Sequence, residues 1–90
     1  MSVADGDSLL QFPCSFPIKA MGRSRADFSG LVLDIIRRHV AEHDIDDVSH
    51  RDSRAGSYVS VTVTITAHSR AQLDAIYREL SGHEHVVMAL

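Results

Sequence analysis

The sequence predicts an α+β sandwich, a four-stranded antiparallel sheet carrying two helices on one face. Three observations carry this reading. The stretch from Tyr58 to Ala67 alternates strictly, with Val59, Val61, Val63 and Ile65 on one side and Tyr58, Ser60, Thr62, Thr64 and Thr66 on the other. Period two with β-branched residues is a strand with one dry and one wettable face. Two further stretches repeat apolar residues at helical spacing. The segments follow one another as β-α-β-β-α-β, without an internal repeat.

Residues 1–8 read as a flexible lead and residues 9–90 as one domain. Leu9 to Phe12 is apolar and broken by Pro13, so it is expected to pack as a turn. Strand one runs from Phe16 to Arg23, with Phe16, Ile18 and Ala20 facing one way, and Gly22 closes it with a tight strand-to-helix connection. Ser24 followed by Asp27 resembles a capping box. Phe28, Leu31, Val32, Ile35, Ile36, His39 and Val40 then form one apolar stripe, which predicts a helix from Arg25 to Glu42. His43 to Asp47 is an acidic connection, and Val48 to Ser53 a polar edge strand. Gly56 supplies a positive φ in the turn before strand three. Ser69 and Gln72 form a second capping box, and Leu73, Ile76, Tyr77 and Leu80 a second stripe, with Gly82 as its left-handed stop. Val86 to Leu90 is the closing strand. The right-handed crossover rule is read as placing strands one and three side by side and parallel, in the spatial order 4-1-3-2. The expected core is Ile18, Ala20, Phe28, Leu31, Val32, Ile35, Ile36, Val59, Val61, Val63, Ile65, Leu73, Ile76, Leu80, Val86 and Met88.

Composition narrows the function. Nine Lys+Arg against twelve Asp+Glu give a net charge of −3, which argues against a polyanion binder working by bulk charge. No signal-peptide pattern opens the chain and no apolar run is long enough to span a membrane. The lone Cys14 fits a reducing cytoplasm, and nothing beside it in sequence would activate a thiol. No catalytic pair of carboxylates or hydroxyl–base pair is identifiable. His39 with His43, and His83 with His85, lack the further ligands of a metal centre, so no metal or cofactor is expected. The acidic run Glu42, Asp44, Asp46 and Asp47 lacks the spacing of a calcium loop.

Two candidate sites remain. At the junction Met21, Gly22, Arg23, Ser24 and Arg25, free backbone N–H groups at a helix start and two arginines suit a small anionic ligand. On the open sheet face, Lys19, Tyr58, Ser60, Thr62 and Thr64 form an interaction surface for a protein partner. That face, or an edge strand, is also where a homodimer would form. Single-stranded RNA is the alternative occupant by fold, but the aromatic pairs and basic excess of an RNA platform are missing.

The blocks Leu9–Pro13, Phe16–Lys19 and Met21–Gly22 resemble the opening of the YbeD-like family of small bacterial proteins of unknown function. The stretch Gly56–Val63, then Tyr77–Leu80 and Val86–Leu90, resembles the same family. The resemblance implies a ferredoxin-like fold similar to the ACT regulatory domains, which bind small ligands and dimerise. It implies a non-enzymatic regulatory or interaction module with no catalytic residues to carry over. Some members lie beside lipoate-biosynthesis genes, which implies a link to lipoate metabolism.

Overall fold

The computed structural model describes residues 10–90, and the expected lead at 1–8 lies outside them. Alternation builds the sheet. Strand β1 covers Cys14–Arg23 and strand β3 covers Tyr58–Ala67. They pair along their whole length, from Cys14 opposite Ala67 to Arg23 opposite Tyr58. Strand β2, Ile45–Asp52, lies outside β3, and a short β4, Met88–Ala89, lies outside β1. The order β2-β3-β1-β4 is the expected one.

The β1–β3 pairing is antiparallel, not parallel. The helical crossover makes the strands before and after it run the same way, and these are β1 and β2. Strand β3 is the return arm of the β2 hairpin, and it is inserted between them pointing the other way.

Pro17 is accommodated because its missing N–H faces outward. Lys19 exchanges main-chain bonds with Leu90 at 3.0 and 2.8 Å, so odd-numbered residues of β1 point toward β4. Pairing with Leu90 reaches only as far as Lys19, and position 17 lies beyond it.

Helix α1, Phe28–Arg37, is shorter at both ends than its apolar stripe predicts. At the start, the expected Ser24–Asp27 capping box does not form. Asp27 is the N-cap residue, but it makes no side-chain cap bond, because its carboxylate is held by Arg25. At the end, Arg38 and His39 donate to the carbonyls three residues back, and the His39 carbonyl accepts from the Gln72 amide at 2.9 Å. Val40 stays buried although the helix has ended. A 3₁₀ turn at Glu42–Asp44 leads into β2, which starts three residues before the expected Val48. The acidic pair Asp46 and Asp47, read as connection, belongs to this strand, with an irregularity between Ile45 and Asp47.

Helix α2, Arg70–Ser81, is capped as expected, with the Ser69 hydroxyl accepting from the Gln72 N–H at 3.0 Å. The Gln72 side chain reaches back to the His68 N–H at 2.8 Å. Gly82 ends the helix with φ −86°, in the ordinary helical region and not the left-handed one. The turn glycine Gly56 does have positive φ, +77°.

Both helices lie on the side of Ile18, Ala20, Val61, Val63 and Ile65, and the core fills the space between. Two residues depart from the expected core. Leu31 is partly buried. Met88 is 49% exposed, because it pairs with Met21 on the open face, while Val86 and Ala89 face the helices. The chain from Val86 to Met88 is not regularly extended, so period-two counting fails there.

Candidate functional site

Gly22 organises the end of the molecule where β1 turns into α1. It is buried within β1 and does not close it. A Cβ there would overlap the His85 carbonyl oxygen and the ring of Phe28. The absent side chain therefore lets the α2–β4 connection lie directly on β1, with Phe28 beneath it. Val87 donates to the Met21 carbonyl at 2.7 Å, fixing that connection in place.

This approach brings together residues sixty positions apart. The Arg25 guanidinium contacts His85 Nε2 at 2.7 Å and also donates to both oxygens of Asp27. The hydrogen bond from Arg25 holds the Asp27 carboxyl below its ordinary range. Arg25, Arg23, Ser24, Glu84, His85 and Val87 line a groove of about 340 Å³. The backbone N–H of Ser24 is already used, donating to the Ser57 carbonyl at 3.0 Å. Of the five junction residues expected to share a site, Arg23, Ser24 and Arg25 line this groove. Met21 lies on the open sheet face, and Gly22 lies on the helix side.

The residues of the expected interaction face lie on one side of the sheet. Lys19 sits opposite Thr62, Met21 opposite Ser60, Arg23 opposite Tyr58 and Pro17 opposite Thr64. Arg23 stacks over the Tyr58 ring, 5.6 Å from its centre. Lys19, Ser60 and Thr62 join Ser49 and Arg51 of β2 around a cleft of about 290 Å³. The exposed apolar residues Met88 and Leu90 extend this face across β4.

His39, His43 and His68 each lie against a carboxylate. His39 follows α1 instead of lying on it, and meets Glu79 of α2 at 2.8 Å, with Arg38 on the other Glu79 oxygen. His68 meets Asp44 at 2.9 Å, and His43 lies 3.6 Å from the same carboxylate. Among the described residues, no group of three His, Cys, Asp or Glu side chains is placed to hold a metal ion. Among them, too, no helix is long and apolar enough to cross a membrane.

Sequence reading missed His85, Arg51 and Ser49. A histidine between Glu84 and Val86 carries no local sign of its contact with Arg25. The Arg51 position, by contrast, follows from counting back along the hairpin from Tyr58.

The family described as "Protein of unknown function (DUF493)" matches residues 7–90. A UPF0250 protein of Paraburkholderia phytofirmans is 45% identical over 84 residues, 93% of this chain and 94% of that protein. The UPF0250 protein NE1487 of Nitrosomonas europaea is 44% identical, covering 93% and 97%. Among solved structures, protein HP0495 of H. pylori superposes with TM-score 0.72 at 13% identity, covering 100% of this chain and 98% of that one. The ACT domain of the GTP pyrophosphokinase of Chlorobium tepidum gives 0.65 at 12% identity, covering 84% of each. At such identities these two likenesses concern the fold alone.

Proposed function

The chain belongs to the DUF493 family of proteins of unknown function, and from that premise we propose that it is a non-enzymatic regulatory or interaction module that takes a small anionic ligand at the β1–α1 junction. The observation that carries this reading is the Arg25 guanidinium held between His85 and Asp27 on the rim of the groove. Asp27 is an exposed carboxylate, and its pairing with Arg25 is a surface ion pair of modest strength. A ligand carboxylate or phosphate would take its place, drawing on Arg25 and Arg23 together. Val87 and the stems of the arginines give the ligand an apolar wall. Lipoate, a carboxylate on an apolar chain, has this chemistry and is one ligand to test.

The experiment is an amide NMR titration with lipoate, free amino acids and inorganic phosphate, each added separately. Saturable shifts at residues 22–27 and at His85, lost in Arg25→Ala, support the proposal. Spectra that ignore all three probes overturn it.

A second reading rests on the open face, where Met21, Tyr58, Met88 and Leu90 offer apolar surface beside Lys19 and Arg23. This suits a protein partner better than RNA, because Tyr58 is the one aromatic on the described part of that face and Arg23 already covers it. Shifts at Lys19 and residues 58–66 on adding a short single-stranded RNA would reverse that preference.

A further inference from the structure

We infer that two copies of this chain join edge to edge through β2, antiparallel about a two-fold axis at Ser49, to make one continuous eight-stranded sheet. The argument begins with exposure. Every residue of β2 after Ile45 is exposed, on both faces of the sheet, including Val48. Helices α1 and α2 leave this strand uncovered.

Its outer main-chain groups also have no partner among the described residues. The Ser53 N–H donates to the Tyr58 carbonyl, so by alternation Asp47, Ser49 and Arg51 bond inward to β3. Val48, His50 and Asp52 then present their N–H and C=O groups outward. Such an edge pairs with another strand unless something prevents it.

Edge strands are commonly protected by charge, but the charges here are self-complementary. Asp47 sits opposite Thr64 and Arg51 opposite Ser60, so both lie on the open face, two positions either side of Ser49. Among the described residues neither has an ion-pair partner. In an antiparallel pair centred on Ser49, Asp47 of each copy faces Arg51 of the other, so the attraction occurs twice. Val48 faces His50 in the same register and exchanges both main-chain bonds with it, which also covers an exposed valine. The one unfavourable match would be Asp46 against Asp52. The irregularity after Ile45 turns the Asp46 carboxylate back to its own sheet, where it accepts from the Thr66 hydroxyl at 2.8 Å.

The test is sedimentation equilibrium of the full chain from about 10 µM to about 1 mM, the range of weak association. The expected result is a reversible monomer–dimer equilibrium. Asp47→Arg alone, or Arg51→Asp alone, places like charges at both symmetric contacts and weakens the dimer about thirtyfold. The double variant restores it to within about threefold of the parent, because the opposed pairs are remade with their signs exchanged. His50→Pro removes an outward N–H without touching the β3 ladder, and leaves a folded monomer. In a Cys14→Ser background, Ser49→Cys gives a disulfide-linked dimer on oxidation, since only the two-fold register brings that residue against itself. A mass that stays monomeric at the highest concentration overturns the inference. So does a dimer indifferent to His50→Pro, or a double charge exchange that restores nothing. These outcomes are independent of the ligand titration, which reads the other end of the molecule.

Discussion

Replacing Gly22 with alanine separates two reasons for a glycine at that position, because they predict opposite signs. If the residue served only to free the backbone at a strand end, alanine would stiffen the unfolded chain and stabilise the protein by about 0.4–1 kcal/mol. The structure gives a different reason. The backbone of Gly22 is extended and pinned opposite Val59, and the added methyl group would meet the His85 carbonyl oxygen and the Phe28 ring. Phe28 is 1% exposed and has no room to swing away. The His85 oxygen belongs to a backbone tied to β1 through Val87. Overpacking of this kind costs about 1–3 kcal/mol, and the entropic gain offsets part of it. The net expectation is a loss of about 1–2 kcal/mol, or about 4–16 °C in Tm for a domain of this size.

Gly30→Ala supplies the control. Gly30 lies on the exposed side of α1, and a Cβ there meets nothing within 4 Å. Only helix propensity acts, and it favours alanine by about 0.8–1 kcal/mol. Urea denaturation of both variants, with slopes compared against the parent, measures the two effects on one scale. Gly22→Ala as stable as the parent, or more so, would refute the close-packing account.

The remaining predictions are smaller. Ser69→Ala removes the cap of α2 and should cost about 0.5–2 kcal/mol by urea denaturation. Tyr77→Phe loses the bond from the phenol to the Leu90 carbonyl, at 2.8 Å, and should cost about 0.5–1.5 kcal/mol, with faster amide exchange at Leu90. Burial raises the Tyr77 phenol above its usual 10.0, so its contribution is whole below that value and is lost as pH rises through the higher folded one; an absorbance titration should show the late midpoint. Asp27 behaves in the opposite sense. Its hydrogen bond from Arg25 lowers the carboxyl below 3.8, so the contribution is present above that value and is lost as pH falls through the folded one. Carboxyl NMR should place its midpoint below 3.8 in the parent and nearer 3.8 in Arg25→Ala.

Elements whose evidence is local were legible in the sequence. Strand β3 has its predicted bounds, because period two and β-branching act within the segment itself. The Ser69 cap formed because both partners lie within four residues. Helix α1 was misjudged at both ends for the converse reason. Its apolar stripe continues through Val40, but Gln72 of α2 takes the His39 carbonyl, and Arg25 takes the carboxylate that would have capped the start. Both competitors are decided by tertiary structure.

The same distinction bears on the candidate ligand groove. Arg25 and His85 meet only because Gly22 lets the α2–β4 connection settle onto β1, so one missing methyl group serves the core and the groove together. Gly22→Ala should therefore do more than lower stability. Relief of the overlap has two routes, displacement of Phe28 or displacement of the backbone at His85, and the second moves the imidazole off the guanidinium. Histidine side-chain NMR distinguishes them. If the backbone yields, the His85 ring resonances move in Gly22→Ala while those of His39, bonded to Glu79 of α2, do not. If Phe28 yields, both histidines keep their ring resonances and the cost appears in the core alone. A shift in His39 as well would show that the strain spreads through the helices, and would refute a local role for Gly22.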